Sequence, residues 1–191
     1  MNIALKQAFK DIRREDFIPQ DMKPFASLNE ALPIGFNQTI SQPEVVRFML
    51  EKLNPEPGQK IMDIGAGSGW TTALLAKIAG TKGKVIAIEI IPQLAKFGEK
   101  NVASYGFIEK GIVKYLCQDG SHGYPEGAPY DRILVSASLS KKELPNAWKE
   151  QLARGGKIVA PIKNSIWVFT KNSKDEFQEE EYPGFAFVPF V

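Results

Sequence analysis

The chain has 191 residues, a length that suits one compact domain of the usual ~100–200. Its 24 Lys and Arg against 22 Asp and Glu leave a formal charge of +2 with no block of like charges, so the charge pattern asks for no nucleic-acid partner. A lone cysteine excludes an internal disulfide, no apolar run reaches the ~20 residues of a membrane span, and the first residues lack the apolar core of a signal peptide; a cytoplasmic protein is expected. Ile3, Ala8, Phe9 and Ile12 recur at helical spacing, which predicts an amphipathic helix over 2–16 that ends before Pro19. The stretch LPIGFNQTISQPE, 32–44, predicts a Pro-framed loop that collects neutral hydroxyls and amides, and a helix is expected from near Pro43.

From residue 60 short apolar runs alternate with helical stretches. KIMDIG, KVIAIE, IVKYLCQ, DRILVSA and KIVAPI read as strands, with helices over 70–79, 92–105 and within 141–153. Such alternation predicts an α/β fold with a mostly parallel sheet covered by helices on both faces. SIWVFTK and the terminal GFAFVPFV read as two more strands, an antiparallel hairpin around the acidic NSKDEFQEEEYPG, whose QEEE run reads as a solvated turn. Residues 1–57 are expected to be a helical and loop extension, and 58–191 the sheet-bearing core of a single compact unit.

The run IMDIGAGSGWTTALLAKIAG ends a strand at Ile64 and starts a helix near Trp70, with Gly65, Gly67 and Gly69 between them. Glycines there let the backbone turn sharply and approach a ligand beside a helix N-terminus. A dinucleotide fingerprint counted from Gly65 needs glycine at position 70, where this chain has Trp70, so NAD is disfavoured. With Asp63 at the strand end, the acid-x-G-x-G-x-G form points to S-adenosylmethionine, whose ammonium and sulfonium suit an acidic strand end. Glu89 lies 20 residues after Gly69, the interval at which an acid reaches ribose hydroxyls, and Asp119 ends the third strand, where it can accept from an adenine amino group. Each acid alone is also a common turn residue; together with three glycines they read as a cofactor site.

REDFIP, LPIGFNQTISQP, DIGAGSGW, IAIEIIPQLA, QDGSHGYPEGAPYDRILVSA and LARGGKIVAPI occur in the order found in protein-L-isoaspartate O-methyltransferases, and the chain resembles that family over nearly its whole length. The resemblance implies the Rossmann-like fold of S-adenosylmethionine-dependent methyltransferases. It implies methyl transfer to the free α-carboxylate of L-isoaspartyl residues in damaged proteins or peptides, with S-adenosyl-L-homocysteine as product and a monomeric enzyme. It places Ser41 and Thr39 at the catalytic interface, with Asp63, Gly65, Ala66, Gly67, Ser68, Gly69, Glu89, Ile90, Asp119 and Gly120 around the cofactor. Ile34, Phe36, Asn37, Gln38 and Ser136 are expected at the acceptor, and no metal is implied. The alternatives are a methyltransferase for another protein carboxylate and a non-catalytic S-adenosylmethionine-binding module.

The neutrality of the 32–44 loop fits this chemistry. A carboxylate with a pKa near ~4 is already ionised at cellular pH, so it needs no general base, and hydroxyl and amide donors can orient it. Ser41 and Thr39 could equally cap the helix from Pro43. His122, without acid or cysteine partners nearby, reads as a loop residue, and Cys117 as a small core residue. Trp70 and Phe36 are candidates to flank the ligand or simply to pack. The chain departs from the family pattern at VSASLSKKELP, where alanines and a proline are usual, and at APIKNS, which brings Lys163 toward the expected acceptor side.

Overall fold

The structure, a computed structural model, describes residues 3–173 and 176–190. Helix α1 (Ile3–Asp11) leads through 3-10 turns at Arg14–Phe17 and Gln20–Phe25 into a small hairpin of β1 (Leu32–Gly35) and β2 (Gln38–Ile40). Next come α2 (Pro43–Leu53), β3 (Lys60–Ile64), α3 (Trp70–Ala79), β4 (Lys84–Glu89), α4 (Pro92–Ala103) and β5 (Val113–Cys117). The chain closes with β6 (Tyr130–Val135), α5 (Asn146–Gln151), β7 (Leu152–Ile162), β8 (Ser165–Lys171) and β9 (Phe177–Pro183).

The main sheet has seven strands in the order β5-β4-β3-β6-β7-β8-β9, parallel from β5 through β7 and antiparallel for the last two. The chain runs outward from β3 to β5, then returns to β6 on the other side of β3. The strand order therefore reverses between β3 and β6, and open α/β sheets bind ligands beyond the carboxyl ends of their strands at such a point.

Both faces of the sheet are buried, which is why its strands read as unbroken apolar runs rather than alternations. Ile61, Val85, Ala87 and Leu134 face a cluster built with α1, α2, α3 and α4, while Met62, Ile86, Ile88 and Ile133 face one centred on Trp148 of α5. Helix α3 is buried nearly throughout because α1 covers its outer side. The first cluster includes Leu5, Phe17 and Leu50 as well as the sheet, so residues 1–57 share one core with the rest.

Five sequence expectations are corrected. The first helix ends at Asp11 and a tight turn follows, because the side chain of Arg14 is drawn inward onto backbone carbonyls. The expected 32–44 loop is a hairpin whose turn residues Phe36 and Asn37 are both left-handed (φ 54° and 56°). The acidic run is not a turn but edge strand β9. It tolerates its charge because Glu179 pairs with Lys142 at 2.6 Å, Glu181 accepts from Ser165 Oγ at 2.7 Å, and an edge is where charge is cheapest. The segment from Gly184 onward is a strap rather than a strand. Pro183 and Pro189 lack the N–H a ladder needs, and Gly184 turns the chain at φ 97° so that the strap crosses the carboxyl end of the sheet. Its Gly184 and Phe185 N–H donate to Asn164 O, Val188 O accepts from Ser138 N, and Phe190 N donates to Ser138 O. Cys117, expected in the core, is exposed at the end of edge strand β5.

Candidate cofactor and acceptor site

The turn between β3 and α3 takes positive φ at each of its glycines: 74° at Gly65, 55° at Gly67 and 91° at Gly69. Only glycine adopts such a series without strain. Gly69 has a second reason, since a Cβ there would lie 2.8 Å from Val102 and 2.9 Å from Gly98 O on α4. Gly67 is held through both of its backbone polar groups. Its N–H donates to Glu89 Oε2 and its carbonyl accepts from Tyr115 Oη, both at 2.8 Å. Glu89 Oε1 accepts from Ile91 N at 2.9 Å, so the carboxylate of β4 fixes the turn and still has lone pairs free for further donors.

Asp63 is fully buried beneath the turn. Its Oδ2 accepts from Thr72 at 2.6 Å and Thr71 at 2.8 Å, whereas Oδ1 has no partner among the described residues. Burial pushes its carboxyl up to about 6, against the two threonine donors that pull it down.

A cavity opens at the switch point above this turn. Its floor comes from Gly65, Ala66, Gly67 and Ser68, one side from Glu89, Ile90 and Gly120, and the opposite wall from Ile34, Gln38, Thr39 and Ser41 of the hairpin, with Ser136 beside them. A second cavity adjoins it, lined by Ala31, Gln42 and Val45 on one side and by Ala186, Phe187 and Val188 of the strap on the other. Thr39, Ser41 and Ser136 line both.

Of the residues expected around the cofactor or at the acceptor, four lie outside both cavities besides Asp63. Gly69 begins α3, and Phe36 and Asn37 form the exposed tip of the hairpin. Asp119 is exposed and accepts from Ser121 N at 2.8 Å, a backbone bond that holds its carboxyl below the ordinary value. It serves its own 3-10 turn, while its neighbours Gln118 and Gly120 reach the cavity. Ser41 makes no cap for α2: the N-cap is Gln42, without a side-chain bond, and Asn29 Oδ1 accepts from Glu44 N at 3.0 Å instead. Lys163 is exposed at the β7–β8 turn and lines neither cavity.

Sequence reasoning missed the strap, whose apolar run looks like any strand. It also missed Arg14, whose guanidinium donates to Ala26 O, Leu28 O, Glu30 O and Ser41 O at 2.6–3.1 Å and so holds the hairpin's base.

A buried acid beneath a glycine turn, a second acid on the next strand and a cavity at the switch point define a Rossmann-like, S-adenosylmethionine-dependent methyltransferase. The residues fit that cofactor: Glu89 lines the cavity and can accept from ribose hydroxyls, and the glycines leave room for close approach. The sequence model described as protein-L-isoaspartate(D-aspartate) O-methyltransferase matches residues 2–191, and the chain belongs to that family. Among its relatives is the protein-L-isoaspartate O-methyltransferase of Methanopyrus kandleri, 40% identical over 97% of this chain and 82% of the relative. A solved protein-L-isoaspartate O-methyltransferase superposes with a TM-score of 0.87 at 25% identity, over 98% of this chain and 61% of that one. The fold is shared as well with a Plasmodium falciparum protein described as a β-aspartate methyltransferase in complex with S-adenosyl-L-homocysteine, at TM-score 0.88 and 22% identity over 100% of this chain and 91% of that one.

Proposed function

We propose that the two adjoining cavities are where this S-adenosylmethionine-dependent protein-L-isoaspartate O-methyltransferase brings methyl donor and acceptor carboxylate together. The observation that carries the reading is the wall the cavities share, where Thr39, Ser41 and Ser136 line both. The cofactor, when bound, supplies an electrophilic sulfonium methyl. Glu89 accepts from its ribose and the glycine turn receives its backbone-facing side. Ser41 and Thr39 donate to the α-carboxylate of the isoaspartyl residue, which enters through the second cavity between the hairpin and the strap.

No proton has to be removed from an ionised carboxylate, so these hydroxyls orient rather than act as bases. Alignment of oxygen, methyl and sulfur alone contributes about 7–11 kcal/mol. The methyl ester then favours ring closure to a succinimide, which can open to ordinary aspartate and so begin repair. The charged edge of β9 disfavours strand pairing between copies, which supports a monomer. No helix among the described residues is long and apolar enough to cross a membrane, and we place the enzyme in the cytoplasm.

Isoaspartate carries an extra main-chain methylene and a shorter carboxylate arm than aspartate, so a groove that grips flanking backbone can discriminate by shape. Labelled methyl transfer to an isoaspartyl peptide is expected to exceed that to its aspartyl twin by at least ~100-fold, about 3 kcal/mol in transition-state binding. Equal rates would mean a broader carboxylate methylase, and S-adenosylmethionine binding with no transfer to either peptide a binding module.

A further inference from the structure

One buried cation ties together two stretches of chain on the same side of the acceptor cavity. Arg14 is 7% exposed, and its Nη1 donates to Ala26 O and Leu28 O, both at 3.1 Å, while Nη2 donates to Glu30 O at 2.6 Å and Ser41 O at 3.1 Å. Three of these carbonyls belong to 26–31, a stretch with neither helix nor strand and exposed from residue 27 onward, so no ladder fixes it. The fourth belongs to Ser41, just past the end of β2. Ala31, which follows Glu30, lines the second cavity together with Ser41 and Gln42. No carboxylate pairs with Arg14 among the described residues, and its Nε–H is buried without an acceptor. A buried charge without a counter-ion is a poor source of stability. What a guanidinium alone offers is geometry, a rigid planar fork of N–H donors that can hold several carbonyls in fixed relation.

We propose that Arg14 is the positioning residue of the acceptor wall: by bonding the carbonyls of Ala26, Leu28, Glu30 and Ser41 at once, it sets Ala31, Ser41 and Gln42 as one rigid side of the second cavity and fixes the backbone that carries the Ser41 hydroxyl. This rests on the reading of the second cavity as the acceptor's entrance. Arg14 lines neither cavity, so it acts only through the backbone it holds. The cofactor floor is fixed separately, by Glu89 and Tyr115 on Gly67, so the two ligands should respond differently when the fork is lost. Toward the cofactor side Arg14 offers a cation–π contact, its guanidinium carbon 5.6 Å from the Trp70 ring centroid, and a lysine retains the charge needed there.

The test is Arg14→Lys, which keeps the charge and gives up the fork. Calorimetry with S-adenosyl-L-homocysteine reads cofactor-site affinity and, from its stoichiometry, the folded fraction, and saturating S-adenosylmethionine in the assay favours the folded form. Per folded molecule, kcat/KM for an isoaspartyl peptide is expected to fall by ~10-fold or more, the size of one hydrogen bond to a charged group, while S-adenosyl-L-homocysteine affinity changes less than about twofold. A lowered melting temperature with wild-type kcat/KM would make Arg14 a brace for the fold, and equal losses for peptide and S-adenosyl-L-homocysteine a support of the whole site; either overturns the proposal. A second measurement needs no variant to fold. In wild type the backbone of 27–31, though exposed, is expected to show NMR order parameters near the ~0.85 of rigid backbone, and values below ~0.6 would overturn the proposal, since a wall that moves positions nothing. A wild type that binds S-adenosyl-L-homocysteine but transfers methyl to no isoaspartyl peptide would instead remove the acceptor reading itself.

Discussion

The cofactor floor and the acceptor wall hold their ligand-facing groups by different means. In the floor, the N–H and the carbonyl of Gly67 are fixed by Glu89 of β4 and Tyr115 of β5, and the acid beneath it is sealed from solvent. In the wall, Thr39 is exposed on a three-residue strand and Ser41, half-buried, follows that strand's end. That wall is steadied from behind by Arg14 and faced by a strap from the far end of the chain. The floor is therefore part of the core, and changes there should disturb binding and folding together. The wall is a surface supported at a few points, where chemistry and stability can be separated.

The largest effect that sharpens this contrast is expected at Glu89. Glu89→Ala removes the acceptor for ribose hydroxyls and also leaves the N–H groups of Gly67 and Ile91 unpaired. Calorimetry is expected to show S-adenosylmethionine weakened by ~2–4 kcal/mol, with a lowered melting temperature alongside. Unchanged affinity in the folded variant would take Glu89 out of the cofactor site.

Next comes the acid beneath the floor. The carboxyl of Asp63 is raised from 3.8 to about 6 by burial, so the native state binds its proton more tightly than the unfolded chain does. Stability from this group is fully present below 3.8 and is lost as pH rises through about 6, by about 3 kcal/mol in total. Asp63→Asn should remove that slope, so the stability of the variant relative to wild type rises between pH 4 and 7 in urea titrations. A difference that stays flat across this range would mean that Asp63 is solvated in solution.

On the wall, Ser41→Ala is expected to lower turnover at saturating substrates by ~10- to 150-fold, the loss of one positioning hydrogen bond of ~1.5–3 kcal/mol. Because Ser41 does not cap α2, unfolding should shift by less than about 0.5 kcal/mol. A destabilised variant with normal turnover would reverse the assignment. The smallest effect falls to Asn29, which does supply the cap: Asn29→Ala should cost ~1 kcal/mol of stability by thermal unfolding and leave cofactor affinity alone. A change in affinity there would show the wall and floor to be coupled.

Local chemistry determined the floor. Three glycines, an acid at each of two strand ends and the 20-residue interval from Gly69 to Glu89 are contiguous signals, and each reflects a backbone or hydrogen-bonding need met within one β-α-β unit. The alternation of apolar runs and helices, which made the parallel sheet legible, has the same origin: both strand faces are buried wherever helices or loops cover them. Sequence alone could not place Asp119, whose side chain serves its own turn, because an acid at a strand end looks the same whether it faces a ligand or a neighbouring N–H. Nor could it join residue 14 to residue 41, or set 186–188 around the same cavity as Ser41, since those placements depend on where a turn and a strap come to rest on a finished sheet. The exposed acidic β9 and the apolar strap exchanged their expected roles for that reason. Edge position let the charged strand pair along one side, and two prolines with a glycine turned the apolar segment out of the ladder and over the site.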